Sequence, residues 1–229
     1  MGGDMKVIAH IYTDFEEKFG IPRQSGLVKS LRGRIVFEEE YRSAEAVRGL
    51  DGFDYIWLLW QFQGVEADHW SPMVKPPRLG GKTRMGVFAT RSPFRPNAIG
   101  LSSVKLEGIE ASEDGPVLLV SGADLKNRTP IYDIKPYLAY TDSHPGAREG
   151  FAHKGREHTL SVEFPAELLE RFPLEKRETL LEVLGQDPRP GYHDDENRRY
   201  GVAFAGYDVR FFVKENILTV FEVVPYIPA

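Results

Sequence analysis

The sequence contains no cysteine. Disulfides, thiol nucleophiles and cysteine-ligated zinc are therefore excluded, and a reducing compartment such as the cytoplasm is the expected setting. No apolar run reaches the length of a membrane span. The first dozen residues lack the basic start and apolar centre of an export signal; Met1–Asp4 read as a loose leader and Met5 as an alternative start. A Gly-x-Ser-x-Gly elbow is missing, and so is a G-x-G-x-x-G fingerprint with βαβ periodicity. Gly81-Lys82-Thr83 ends like a phosphate-binding loop, but Pro76 stands where that pattern needs its first glycine. The histidines (His10, His69, His144, His153, His158 and His193) form no metal-ligand spacing, so no metal is expected.

The most telling absence is local. From Trp70 to Leu106 there is no Asp or Glu, although the chain as a whole carries a net charge of -5. The same span holds Lys75, Arg78, Lys82, Arg84, Arg91, Arg95 and Lys105. An acidic chain does not coat nucleic acid unselectively, whereas a basic island on it marks a defined anion site, for a phosphate backbone or a ligand carboxylate. Within the island, Gly86–Asn97 sets Arg91 and Arg95 four residues apart, with Pro93 between them and Pro96 just beyond, and the two prolines hold the loop in place. Trp60, Phe62, Trp70, Phe88 and Phe94 lie in or beside it; Trp60 and Phe88 are expected in the core, and the other rings are available to stack on unpaired bases.

The first two-thirds of the chain read as strands: Lys6–Tyr12, Arg34–Glu38, Phe53–Phe62, Met85–Ala89, Leu101–Ile109, Val117–Ser121 and Thr129–Ile134, separated by Gly, Asp and Pro turns. Phe53–Phe62 is nearly all apolar, as a strand buried on both faces would be. One short helix is expected from Ser43, its cap, to Gly49, its stop. Many short strands with few helices predict a mainly β fold, a compact closed or nearly closed β-barrel over residues 5–145. Thr141–His158 reads as a linker to a smaller α+β domain over residues 155–229. There Pro165–Leu184 is helical in pattern, broken near Pro173, and two β runs follow, Gly201–Val213 and Leu218–Val224.

Four ordered blocks carry a family resemblance: Lys18–Gly26, Pro76–Gly81, Gly86–Ser102 and Asp124–Tyr137. In order and spacing they resemble the TrmO family, also called TsaA-like or YaeB. Asp187-Pro188-Arg189-Pro190 and Tyr200-Gly201 resemble the extra C-terminal domain of its bacterial members. The resemblance implies a dimeric β-barrel methyltransferase of the class VIII kind that uses S-adenosylmethionine. Its implied target is the exocyclic amino nitrogen of threonylcarbamoyl-adenosine, just after the anticodon of threonine tRNA. By motif match it places the cofactor on Pro22, Arg23, Gln24, Gln63, Arg91, Leu101, Asp124, Asn127, Thr129 and Pro130. Two positions depart from the family pattern. Gln63 stands where members often have His, and Arg128 replaces the glycine of an Asp-Gly-Thr-Pro loop, which suggests altered loop geometry or a new contact.

Methyl transfer to nitrogen needs alignment, a dry site and removal of one proton. Asp133, Tyr137, Tyr140 and Asp142 are the candidate bases; Asp133 equally suits a purely structural tie to Lys135 or a backbone amide. Arg78, Lys82, Arg84, Arg95, Asn97, Lys135 and Arg189 are the side chains assigned to the RNA. Arg91 is expected to hold the methyl donor, Arg95 to face the RNA or orient Asn97, and Arg23–Gln24 to close over the cofactor. Removal of the residues after about 155 is expected to spare cofactor binding and impair tRNA methylation. The alternatives are a non-catalytic RNA- or nucleotide-binding barrel, or a methyltransferase of this fold with another substrate.

Overall fold

Alternation of apolar side chains along the first two-thirds of the chain does close a barrel. The structure is a computed structural model that describes residues 5–64, 70–153, 159–190 and 195–228. In chain order come β1 (Ala9–Tyr12), β2 (Arg32–Phe37), β3 (Tyr55–Gln61), the short β4 (Met73–Val74) and β5 (Met85–Gly86), then β6 (Ile99–Ser112), β7 (Gly115–Ser121) and β8 (Thr129–Pro136). The barrel order is β1-β2-β7-β6-β3-β8, with β8 closing back on β1. All of its pairings are antiparallel. Inward side chains such as Ile11, Ile35, Ile56, Leu58, Leu118 and Ile131 are fully buried and fill it.

Three local expectations change. The strand Phe53–Phe62 is buried on one face only: Ile56, Leu58 and Trp60 point in, while Tyr55 and Gln61 are exposed and Trp57 and Leu59 half-buried. An antiparallel barrel strand needs only one apolar face. The strand Met85–Ala89 stops at Gly86; Val87–Ala89 is a 3-10 turn that buries Val87 and leaves Phe88 74% exposed, so Phe88 is not core. The expected helix at Ser43 is a 3-10 turn (Ala44–Val47), although Ser43 caps it by accepting from the Glu45 N–H at 3.2 Å and Gly49 ends it at φ 82°. The strands β4 and β5 form a small hairpin outside the barrel, and its tip carries Lys75, Lys82 and Arg84.

The helix α1 (Ala139–Asp142) lies partly within the stretch read as linker. Beyond it come β9 (Ser161–Glu163), α2 (Ala166–Leu169), α3 (Leu174–Gly185), β10 (Tyr200–Phe204), β11 (Tyr207–Lys214) and β12 (Ile217–Pro225). Pro173 stands at the N-cap of α3, where its missing N–H does no harm, and separates it from α2. The expected run Gly201–Val213 is two strands, because Ala205 and Gly206 both take positive φ and turn the chain. Alanine rarely does so, which is why the turn was hidden in the sequence. The strand β9 joins β12 in parallel and completes the sheet order β10-β11-β12-β9.

The two cores are not segregated along the chain. Phe15, Val28 and Leu31, from the connection between β1 and β2, are buried among Phe172, Leu180, Val202, Phe204 and Phe211 of the C-terminal sheet and helices. His69, His158, His193, part of the expected linker and Met1–Asp4 lie outside the described residues.

Candidate active site

Ends of strands and the loops between them supply the site. The end of β3, the start of β6, the loop entering β8, the 21–24 stretch after β1 and the 90–95 loop surround a cleft of about 460 Å³. That volume suits a small molecule of cofactor size. Trp57, Trp60, Phe62, Ile99 and Leu101 give it apolar walls, and Lys18, Arg23, Arg91, Arg95 and Lys126 give it cations. Asp124 is the one carboxylate lining it among the described residues.

Close backbone approach shapes the floor. Gly100 pairs across the sheet with Trp60, and a Cβ on Gly100 would lie 2.2 Å from the indole ring. The Trp60 ring also meets Phe62 edge-on at 4.4 Å. Its Nε1–H donates to Ser102 Oγ at 3.0 Å, and Ser102 Oγ donates to Asp124 Oδ1 at 2.6 Å. Loss of water around the Asp124 carboxyl pushes its pKa above the ordinary value, against the Ser102 hydrogen bond and the Arg91 charge, which favour ionisation. Gly100→Ala is expected to displace Trp60, break this chain of hydrogen bonds and abolish ligand binding. Loss of the ligand-induced rise in melting temperature checks it, and an unaltered rise would show that the floor tolerates the methyl group.

Most of the sequence-assigned cofactor residues meet here. Pro22, Arg23, Gln24, Gln63, Arg91, Leu101, Asp124 and Thr129 all line the cleft, and Arg91 Nη1 donates to Gln24 Oε1 across 67 residues of sequence. Asn127 and Pro130 do not line it. The Asn127 side chain donates to Glu16 at 2.8 Å and accepts from the Thr13 N–H at 3.2 Å, which ties the loop before β8 to the loop after β1. Pro130 pairs with His10 between strands. The two departures from the family pattern touch each other. Arg128 adopts φ 60°, a left-handed conformation that glycine takes freely, and its carbonyl accepts from Gln63 Nε2 at 2.7 Å.

The candidate bases lie outside the cleft lining. Asp133 faces outward beside Leu59, pairs with Lys135 at 2.9 Å and accepts from the Ile134 N–H at 2.9 Å, so it makes both of the structural ties foreseen for it. Asp142 accepts from the Leu138 N–H at 3.0 Å and from Trp57 Nε1 at 2.8 Å, and these bonds hold its pKa below the usual range. Tyr137 packs on Tyr55 and Trp57, and Tyr140 is 87% exposed. Trp57, Thr90, Ile99 and Gly100 line the cleft without having been singled out for it. Only proximity to Gln63, Arg91 and Leu101 in the sequence could have pointed to them.

Of the side chains assigned to RNA, Arg95 lines the cleft but turns back on its own loop. It donates to the Thr90 carbonyl at 2.9 Å and lies 5.9 Å from the centre of the Phe88 ring. Lys82, Arg84 and Asn97 are exposed on the hairpin side, near the exposed rings of Trp70, Phe88 and Phe94 in sequence; the Arg78 side chain lies outside the described residues. Lys135 is on the outer barrel face with Asp133. The Arg189 guanidinium is held by Asp187 in a bidentate pair at 2.8 and 2.9 Å, on the C-terminal side of the molecule.

Comparison with known proteins supplies the remaining observations. Residues 10–143 match the family model described as the tRNA-methyltransferase O N-terminal domain, and residues 157–226 match the TrmO C-terminal domain. The tRNA (adenine(37)-N6)-methyltransferase of Escherichia coli is 42% identical over 226 residues, covering 95% of this chain and 96% of its own. A Pseudomonas aeruginosa protein provisionally named S-adenosylmethionine-dependent methyltransferase RcsF is 38% identical over 235 residues, covering 94% of this chain and 95% of its own. A crystal structure of TrmO from P. aeruginosa superposes with a TM-score of 0.79 at 33% identity and covers 99% of this chain and 98% of that one.

Proposed function

The chain belongs to the tRNA-methyltransferase O family, and on that premise we propose that it methylates the exocyclic nitrogen of adenosine 37 in tRNA with S-adenosylmethionine as methyl donor. Its target, in this reading, is the threonylcarbamoyl form of that adenosine in threonine tRNA. The observation that carries the reading is the cleft itself. Family blocks distant in sequence converge on one pocket with cationic rims, aromatic and aliphatic walls and, among the described residues, a single carboxylate, Asp124.

The donor set fits S-adenosylmethionine chemically. Arg91, oriented by Gln24, and Arg23 offer guanidinium donors for a carboxylate. Trp57, Ile99 and Leu101 offer apolar surface that excludes water from the reacting atoms. When bound, the cofactor supplies a methyl group on a sulfonium, already activated for displacement. What the protein adds is alignment of the attacking nitrogen, exclusion of water and acceptance of the proton that nitrogen must lose. Asp124 takes that proton in this reading, because Asp133, Tyr137, Tyr140 and Asp142 do not line the cleft. The basic hairpin, with Lys75, Lys82 and Arg84 and the exposed Trp70, Phe88 and Phe94, holds the anticodon loop by charge and stacking. The chain acts as a homodimer, a reading supported by the exposed Tyr55 and half-buried Leu59 on the outer face of β3.

Nucleoside analysis tests the assignment. The protein is incubated with S-adenosylmethionine and threonine tRNA carrying or lacking the threonylcarbamoyl group. Methylated product from the modified tRNA alone is expected; transfer to neither, or to both equally, refutes the stated substrate. Binding of S-adenosylhomocysteine by the wild type, measured by calorimetry, separates this reading from a bare RNA-binding barrel. Arg91→Ala is expected to weaken that binding by roughly tenfold or more, the loss typical of a charge-assisted hydrogen bond left unmade. Unchanged affinity would take Arg91 out of the cofactor site.

A further inference from the structure

The connection between β1 and β2 serves two bodies at once. On one side it is built into the C-terminal sheet. Phe19 stacks on Tyr200 at 6.2 Å with the rings 6° from parallel, and Gly20, at φ 94°, lies so close to β10 that a Cβ would sit 2.6 Å from Val202. The Asp14 carboxylate pairs with Lys176 at 2.5 Å, and the Asp14 carbonyl accepts from the Ala205 N–H at 2.9 Å. On the other side the same segment delivers Pro22, Arg23 and Gln24 to the cleft.

A chain of polar contacts joins the two sides. Asp187 and Arg189 form their bidentate pair with side chains only 11% and 15% exposed. Pro188 and Pro190 restrict the backbone on either side of Arg189. The Arg189 carbonyl accepts from Arg23 Nη2 at 3.0 Å, and the next residue, Gln24, accepts from Arg91. A fixed carbonyl at this point orders the long Arg23 side chain before any ligand arrives, which lowers the entropy lost on binding.

We propose that Asp187 is a positioning residue for the cofactor cleft: by fixing the Arg189 carbonyl it holds the Arg23–Gln24 wall, so the C-terminal domain forms part of the cofactor site. The inference rests on the cofactor reading above. Arg189, assigned from sequence to the RNA, acts here through its backbone oxygen on the cleft wall.

Asp187→Asn in the full-length protein tests it. Asparagine keeps the shape and tolerates the φ of 51° at this position, but loses the charge that pairs with Arg189. S-adenosylhomocysteine affinity is measured by calorimetry, with melting temperature and separate KM values for S-adenosylmethionine and tRNA. The expected result is an affinity about 3- to 10-fold weaker, the scale of a preorganising hydrogen bond. KM for the methyl donor should rise in step, and KM for tRNA should stay unchanged. In an Arg23→Ala background Asp187→Asn should add nothing, because the two act in series. Unchanged affinity, additive effects in the double variant, or a raised tRNA KM with intact S-adenosylhomocysteine binding would each overturn the proposal. Arg189→Lys, which keeps the carbonyl and loses the planar fork, supports the same comparison if Asp187→Asn does not fold. A wild type that binds no S-adenosylhomocysteine would instead refute the function proposed above and would be seen before any variant is made.

Discussion

A chain ending at His153 is expected to lose S-adenosylhomocysteine binding completely while keeping much of its β-sheet signal. The sequence reading expects the opposite, that the barrel alone would hold the cofactor. The reversal comes from where the β1–β2 connection is buried. Phe15, Val28 and Leu31 are 0%, 1% and 3% exposed, and their partners are C-terminal. Exposing three such side chains forfeits about 1.5–3 kcal/mol each. The sum rivals the net stability of a whole domain, roughly 5–15 kcal/mol. The barrel strands keep their own hydrogen bonds and their own core around Ile35, Leu58 and Leu118. The connection does not: its apolar side chains are buried against the C-terminal sheet, and its ties to the barrel are hydrogen bonds, among them the Gly26 N–H to the Gly122 carbonyl at 2.8 Å, the Gly122 N–H to the Leu31 carbonyl at 2.9 Å, the Asn127 N–H to the Phe15 carbonyl at 2.8 Å, Asn127 to Glu16 at 2.8 Å and the Thr13 contacts. Pro22, Arg23 and Gln24 leave the cleft with it. Circular dichroism and calorimetry on the fragment check both halves of the expectation. A fragment that binds with full-length affinity would show that the barrel holds its cleft wall unaided.

Asp124→Asn is expected to lower kcat by about 100- to 10,000-fold, the range for loss of a positioned base. S-adenosylhomocysteine affinity should change only a few-fold, because asparagine can still accept from Ser102. The pH dependence is the sharper test. Burial raises the Asp124 pKa, and a base works only when ionised, so kcat should fall as pH drops through a value above the ordinary aspartate range. In the Asn variant that acid limb should vanish. Stability moves the other way. A carboxyl whose folded-state pKa is raised stabilises the fold fully below its unfolded pKa, and loses that contribution as pH rises through the folded value. The Asn variant should therefore melt no lower than the wild type at neutral pH. A kcat within a few-fold of the wild type would place the base elsewhere. A large loss of affinity with kcat preserved would make Asp124 a cofactor anchor instead.

The barrel was legible because many short runs rich in β-branched and aromatic residues, separated by Gly, Asp and Pro turns, recur with few helices between them, a local pattern that survives any tertiary context. The devices that interrupt strands were less so. Ala205–Gly206 turns the chain with an alanine at positive φ, and β9 is three residues long, too short to show a period. Phe88 was misplaced for a related reason: a 3-10 turn shifts the alternation by one, so Val87 takes the inward place. Arg128, where the family pattern has glycine, suggested altered loop geometry or a new contact; its φ of 60° is instead the left-handed conformation that glycine takes freely. Its partner Gln63 could not be named from sequence, because the contact joins the end of β3 to the start of β8.

By itself the sequence determined that this is a cysteine-free β-barrel with a basic, proline-braced loop and the ordered blocks of one family, since composition, periodicity and motif order are properties of the chain alone. Only the tertiary structure decided that Asp124, not Asp133 or Asp142, stands in the cleft, and that the C-terminal sheet buries the segment carrying Arg23 and Gln24. Enclosure from water and contact across more than 160 residues, as between Arg23 and Arg189, arise only when distant segments share one core. No local pattern records which segments those will be.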